Sequence, residues 1–305
     1  MSTDESSILI YYAAAVVCFI VGVLFLYVVI QKSPPTIRSY RNRLLNLTFW
    51  NSLFIVQLLL LQPTGTLFNS LVCLRPLGFI HKIHVDLFYV VLFGVLVGSF
   101  NIALAVWLCF FFRYVQLAHP KISEWLQSSN GTVACVLWHF CICLGSGILT
   151  YMFLATMQQF SNNDELFFCF EPTRNLATTV FICFLLVFTV CSCVSFLAFT
   201  ILSLRVLRSQ HSTMSAKTYR LQLQLTVNLI MLTIFPVVLD VIPVVLTCLG
   251  IYFKFNSLET IFLLVFHLPC VEVICCWCVT LAFVTPYRHA VRDLVVQILD
   301  YRPTL

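Results

Sequence analysis

Two carboxylates, Asp240 and Glu272, stand out because each is the single acidic residue of a long apolar stretch. An ionisable side chain is costly in lipid and usually marks a functional site. Asp240 has two open interpretations. Pro236 and Pro243 each free a backbone carbonyl one turn earlier, so a protonated Asp240 can donate to that carbonyl, or else it contacts a ligand or ion within a helix bundle. The same alternatives hold for Glu272, which has Pro269 nearby.

Patterns for catalysis or metal binding are weak. The chain has no HExxH motif, and the GSG at 145–147 lacks the spacing of an intramembrane serine protease. A catalytic Asp240–Glu272 pair has no supporting motif. Cys275, Cys276 and Cys278 are close in sequence, but on one helix they point in different directions. The sequence therefore predicts a protein that is not an enzyme, with no cofactor and no metal.

The composition indicates where these residues must be placed. Of the 305 residues, 61% are hydrophobic and 10% are charged, against about 45–50% and about 25% in globular domains. A soluble core of this size cannot bury so much apolar surface, whereas a bilayer can accommodate it. The chain is predicted to be an integral membrane protein.

Seven apolar stretches are each long enough for a helix to cross about 30 Å of hydrocarbon. They run Ile8–Ile30, Leu44–Gln62, Val85–Phe112, Thr132–Thr156, Leu176–Ser203, Leu221–Leu249 and Thr260–Val284. No stretch alternates in polarity as a barrel strand does. We predict an all-α, polytopic membrane protein with a seven-transmembrane helix bundle, and a kink in the sixth helix at Pro236 and Pro243.

The chain ends in an amphipathic segment. After Pro286, apolar residues recur at helical spacing and charged residues occupy the other face, which predicts a short eighth helix on the inner leaflet. The predicted division is 1–7 as an extracellular amino terminus, 8–284 as the bundle, and 285–305 as the cytoplasmic helix and tail. The first seven residues are acidic, so no cleavable signal peptide is expected.

The distribution of Lys and Arg predicts the orientation. The segments after the first, third, fifth and seventh stretches hold most of the 17 basic residues, and the remaining segments hold only Arg75, Lys82, Arg174 and Lys254. Basic residues are retained in the cytoplasm, so the amino terminus is predicted to lie outside. The sequons at Asn46 and Asn130 then lie at a membrane edge and in a cytoplasmic loop, where neither is expected to carry a glycan.

Two of the 15 cysteines lie outside the apolar stretches, on the side predicted to be extracellular. Cys73 is in the first outer loop and Cys169 is in the second. An oxidising compartment allows them to form a disulfide that ties the second loop to the start of the third helix. Two free thiols, or a bond to Cys248 instead, remain alternatives.

A series of motifs in order along the chain resembles one receptor family. The segments are KSPPTIRSYRNRLLNLTFW at 32–50, FFFRY at 110–114, MSAKTYRLQ at 214–222 followed by prolines seven apart, and PYR at 286–288. Together they resemble the nematode serpentine chemoreceptors of the Str superfamily, most closely the Srh and Sri branches. No acidic residue is adjacent to Arg113, where these receptors commonly have one.

The resemblance implies a chemosensory G-protein-coupled receptor in the plasma membrane of a sensory cilium. Its partners would be a small, mostly apolar environmental molecule outside, a heterotrimeric G protein inside and membrane lipid, with no nucleic acid. The expected ligand-pocket residues are Asp240, Glu272, Asn101 and His267. The expected G-protein contacts are Arg113, Tyr114, Arg205, Arg208, Lys217 and Arg220.

Two other interpretations stay open on the sequence alone. The basic residues on the inner side follow equally from the positive-inside rule, without any partner. A seven-helix ligand-gated channel or a transporter would have a similar composition. Insect-type channels, however, place the amino terminus inside, and transporters usually contain internal repeats, which this chain lacks.

Overall fold

The computed structural model describes residues 3–34, 37–68, 71–79, 84–162, 165–171, 175–212, 214–253 and 258–300. Within these ranges, seven helical segments are long and apolar enough to cross a membrane. The predicted all-α seven-span bundle is therefore confirmed. The first five spans are helices α1 (Thr3–Gln31), α2 (Arg38–Leu61), α3 (Val85–Ala118), α5 (Ser129–Leu154) and α6 (Leu176–Ser209). The short helix α4 (Pro120–Gln127) connects α3 to α5.

The sixth span is divided into two helices by a π-helical turn. Helix α7 (Ala216–Pro236) leads into the turn Val237–Val241, and α8 (Ile242–Phe253) continues from it. Pro236 and Pro243 lack backbone N–H groups, so regular i→i−4 hydrogen bonding fails between them, and the wider turn accommodates the mismatch. Where the sequence predicts a kink at Pro236 and Pro243, the structure has this π turn.

Helix α9 (Leu258–Phe283) is the seventh span, and α10 (Thr285–Asp300) follows as the eighth helix. Pro286 lies in the first turn of α10, a position that needs no intrahelical N–H donor. Several helices begin at side-chain caps of the expected kind. Asn175 accepts from the Ala177 N–H at 3.0 Å, and Ser215 accepts from the Thr218 N–H at 3.2 Å.

A small antiparallel sheet lies in the loops at one end of the bundle, a feature that the hydropathy pattern does not indicate. Its strands are β1 (Pro63–Phe68), β2 (Leu71–Pro76), β3 (Gln158–Asn162) and β4 (Glu165–Phe170), in the order β1-β2-β4-β3. Cys73 of β2 lies opposite Cys169 of β4, and the two form a disulfide. We call this end the sheet side and the opposite end the basic side.

The sheet packs tightly onto the bundle. Gly65 of β1 lies against the ring of Phe262 in α9, so closely that a Cβ there would be 2.4 Å from the ring. Tyr11 of α1 donates its hydroxyl to the Pro63 carbonyl at 3.1 Å. Phe168 of β4 stacks on Phe88 of α3 at 3.7 Å between centroids. The sheet is therefore part of the hydrophobic core at this end.

Candidate functional site

A cavity of about 260 Å³ lies among α2, α3, α6, the sixth span and α9. Its wall is mostly aliphatic and aromatic, as is usual for a small-molecule site. Representative lining residues are Leu58, Phe100, Val106, Phe188, Val237 and Phe266.

Asp240 and Glu272 supply the two carboxyl groups of this wall. Asp240 lies in the π turn and Glu272 in α9. Glu272 is 5% exposed, and its Oε1 accepts a hydrogen bond from Cys276 Sγ at 2.8 Å. Asp240 Oδ1 is buried, without a hydrogen-bond partner in the described part of the chain. The described lining residues include no Lys or Arg that could pair with these carboxyl groups, so the cavity offers carboxyl oxygens within a mostly apolar wall.

Asn101 was also expected in the pocket, but it is not among the residues that line this cavity. Its Oδ1 accepts from His139 Nδ1 at 2.9 Å, and its Nδ2 donates to the Val97 carbonyl at 2.9 Å. His139 Nε2 in turn accepts from Asn46 Nδ2 at 3.0 Å. The amide of Asn101 is therefore committed to a polar chain that joins α2, α3 and α5.

His267 does not line the cavity either. Its Nδ1 donates to the Leu263 carbonyl at 2.8 Å, one turn earlier in α9. Its ring packs at 4.3 Å, between centroids, on Tyr11, which reaches the sheet through Pro63. The side chain thus faces α1 and contributes to the packing of α1, α9 and the sheet. Of the four expected pocket residues, the structure brings Asp240 and Glu272 together.

On the basic side, Arg113 is buried rather than displayed, with 2% of its surface exposed. Its guanidinium donates to the side-chain and backbone oxygens of Gln222, and to Thr226 Oγ1 at 3.2 Å. A further hydrogen bond reaches Gln116 Oε1 at 3.2 Å. Arg113 has no acidic neighbour in sequence, and polar groups of α7 accept the hydrogen bonds of its guanidinium instead. These contacts hold α3 against α7 in this conformation.

The other expected G-protein contacts are distributed around this point. Arg205, Arg208 and Arg220 are exposed at the ends of α6 and α7. Tyr114 is half-buried, with its ring 6.0 Å from that of Phe199. The side chain of Lys217 lies outside the described residues.

A second polar contact ties the basic side together, and sequence reasoning missed it. Asn228 Nδ2 of α7 donates to Tyr40 Oη at 2.6 Å and to Thr280 Oγ1 at 3.3 Å, which links α2, α7 and α9. One feature of the sequence could have identified Gln222, Thr226 and Asn228: each is a polar residue inside an apolar span.

Tyr287 of α10 is fully buried against the end of α1. Its hydroxyl lies 2.9 Å from the Ser33 hydroxyl. Burial raises the pKa of Tyr287, while the hydrogen bond with Ser33 and the nearby charge of Arg41 oppose the rise. The tyrosine therefore stays protonated and anchors α10 to the bundle.

A seven-span bundle with a ligand-sized cavity between its helices, and with a buried arginine that joins the third and sixth spans, has the architecture of a seven-transmembrane receptor. Residues 2–297 match the family of serpentine-type seven-transmembrane G-protein-coupled chemoreceptors known as Srh. The chain belongs to this family, which confirms the nematode chemoreceptor resemblance. The family is a class of receptors, not of enzymes. Comparison with curated proteins gives no match.

Proposed function

We propose that this receptor binds a small, mostly apolar environmental molecule in the cavity beside the π turn and activates a heterotrimeric G protein at its basic side. The observation that carries the proposal is the pair of carboxyl groups, Asp240 and Glu272, in a mostly apolar wall. A ligand with a compact polar group would use the pair for orientation and the aromatic wall for affinity.

Signalling would follow from a population shift. A molecule that binds one helix arrangement more tightly than another favours that arrangement. In the present arrangement α7 covers Arg113. The cavity wall includes the π turn directly after α7, so a ligand there acts on the span that holds the arginine. Movement of α7 would uncover Arg113 and Tyr114. Together with the exposed Arg205, Arg208 and Arg220, and with Lys217, they would contact the G protein.

The proposal also includes the orientation of the receptor in the membrane. The amino terminus and the disulfide-linked sheet would lie outside, and α10 with the basic residues would lie inside, in the plasma membrane of a sensory cilium. Two features support it: disulfides persist in oxidising compartments, and basic residues concentrate on the cytoplasmic side.

The test is a response assay in cells that express the receptor with a promiscuous G protein, using a panel of small volatile and lipid-soluble compounds. Asp240→Asn and Glu272→Gln should shift the half-maximal concentration of an active compound by about tenfold or more, because each replaces an acceptor oxygen by an amide NH2 group, and an unsatisfied buried hydrogen-bonding group costs roughly 1–3 kcal/mol. Surface expression should change far less.

Asp293→Asn is the matched control, because it removes an exposed carboxylate on α10, outside the cavity. If both cavity variants respond as the wild type does at equal surface expression, the assignment of the ligand to this cavity is wrong.

A further inference from the structure

A second concavity, of about 500 Å³, lies on the outer face of the bundle between α3, α5 and α6. Trp107, Trp138, Cys141 and Cys191 contribute to its wall, and the two cysteines are exposed. These residues fall near the middle of their spans. The medium at that depth is hydrocarbon rather than water, so this groove opens into the acyl chains of the bilayer.

The groove and the ligand cavity share three wall residues, Ala103, Phe188 and Ser192. One layer of side chains therefore separates the bilayer from the cavity. Ala103 contributes only a methyl group and Ser192 only a hydroxymethyl group, which leaves Phe188 as the bulky member of the layer. The Phe188 ring is half-buried and packs edge-on against Phe100 at 5.0 Å between centroids. Aromatic side chains change rotamer without backbone movement, so rotation of Phe188 would open a passage.

The route from the sheet side is filled instead. Phe100 belongs to the same buried cluster as Phe168 and Phe170 of the sheet. Phe188 and Phe266 of the cavity wall pack against this cluster, as does Phe184. The sheet itself is fastened by the Cys73–Cys169 disulfide and by the close contact of Gly65 with Phe262. Within the described residues, a path from water to the cavity on this side would have to displace a packed aromatic layer.

We propose that the ligand reaches the cavity sideways from the bilayer, through a portal formed by Ala103, Phe188 and Ser192. This inference rests on the proposed function, since it assumes that the cavity is the ligand site. It also defines the ligand class as a membrane-partitioning compound with a compact hydrogen-bond donor for Asp240 and Glu272. Each added methylene raises the concentration of such a compound in the bilayer about fourfold, so the membrane would act as the reservoir that the receptor samples.

The test uses the purified full-length receptor in phosphatidylcholine nanodiscs and the fluorophore aminoanthracene, a flat apolar compound with one amino group. Cys191→Trp places a large ring in the groove without altering a cavity-lining residue. The matched control is Cys183→Trp, which changes another exposed cysteine of α6 that lines neither space.

Stopped-flow fluorescence should show that Cys191→Trp slows association and dissociation together by about tenfold, with Kd unchanged within twofold. An obstructed path slows association and dissociation by the same factor and leaves Kd unchanged. A damaged binding site would change Kd instead. The control should match the wild type. Unchanged rates in Cys191→Trp, a change in Kd without a change in association rate, or an equal slowing in the control would each overturn the portal.

A second measurement needs no variant. For wild-type receptor, aminoanthracene is compared with a ring-methylated homologue at equal free aqueous concentration. If access is through the bilayer, the observed association rate should be about fourfold higher for the homologue, because one added carbon raises its concentration in the membrane by that factor. Equal association rates for the two probes contradict the portal, because entry from water does not depend on partitioning. Absence of saturable binding to the wild type overturns the proposed cavity itself, whereas binding with unaltered rates overturns the portal alone.

Discussion

Removing the side chain of Gln222 should raise the basal activity of the receptor. Gln222 Oε1 accepts a hydrogen bond from the buried Arg113 guanidinium, and this contact joins α3 to α7. In Gln222→Ala the backbone carbonyl of residue 222 and Thr226 Oγ1 can still bind Arg113. The substitution therefore weakens the closed arrangement without abolishing it.

The size of the effect follows from the charge on Arg113. A hydrogen bond to a charged group contributes about 1.5–3 kcal/mol to stability. Loss of roughly 2 kcal/mol from the closed arrangement multiplies the ratio of open to closed receptor by about 30, at 1.4 kcal/mol per tenfold. If the open form is about 1% of unliganded wild type, a typical minor-state population, it rises to roughly a quarter of the molecules. Basal signalling should then increase about 20-fold.

The assay measures the binding of a non-hydrolysable GTP analogue to membranes that contain the receptor and the G protein. No ligand is added, and the bound analogue is divided by the number of receptors at the cell surface. Gln224→Ala is the matched control, because it changes the same residue type two positions along α7. Gln224 Oε1 accepts a neutral hydrogen bond from Thr285 of α10 at 2.9 Å, so its loss should raise basal activity only a few-fold. Basal activity below twice the wild-type value in Gln222→Ala, or no higher than in the control, would refute the role given to Arg113.

Two further outcomes are expected. Cys73→Ser should lower the melting temperature and the surface expression, with a loss of stability on the order of 2–4 kcal/mol. Adding Cys169→Ser should cause no further loss, because the disulfide is already absent. The exposed Cys183→Ser is the control, and equal melting curves for all variants would show that the disulfide is dispensable. Asn130 should carry no glycan in the expressed receptor. The electrophoretic mobility of the wild type and of Asn130→Gln should therefore be identical, before and after treatment with a glycosidase. A glycan at Asn130 would reverse the proposed orientation.

The spans could be predicted because hydrophobic length is a property of contiguous residues. The third span begins at Val85 both in the hydropathy pattern and in the structure, and the fifth begins at Leu176 in both. The strands could not be predicted in the same way. Their segments of five or six residues lie in loops between spans, and their pairing depends on the bundle bringing β2 beside β4.

The candidate site was predicted only in part, for a related reason. Asp240 and Glu272 could be found because a lone carboxylate in an apolar span is conspicuous. Asn101 resembles them in sequence, yet its amide is satisfied by His139 on a different helix. The partner of Arg113 is 109 residues away, so only the packing of α7 on α3 identifies it. Burial and pairing across helices thus decide which polar residues line the cavity.

The π turn in the sixth span has a consequence for how such receptors can diversify. A π turn holds about one residue more than an α turn, and each residue of an α-helix advances the azimuth by about 100°. A substitution at Pro236 or Pro243 that restored regular winding over 237–241, with the chain length unchanged, would rotate α8 by roughly that angle relative to α7. The Gln222 and Thr226 contacts with Arg113 would keep their phase, while the helix face beyond Ile242 was exchanged for another. A single substitution could thus alter chemical selectivity while leaving the signalling end intact.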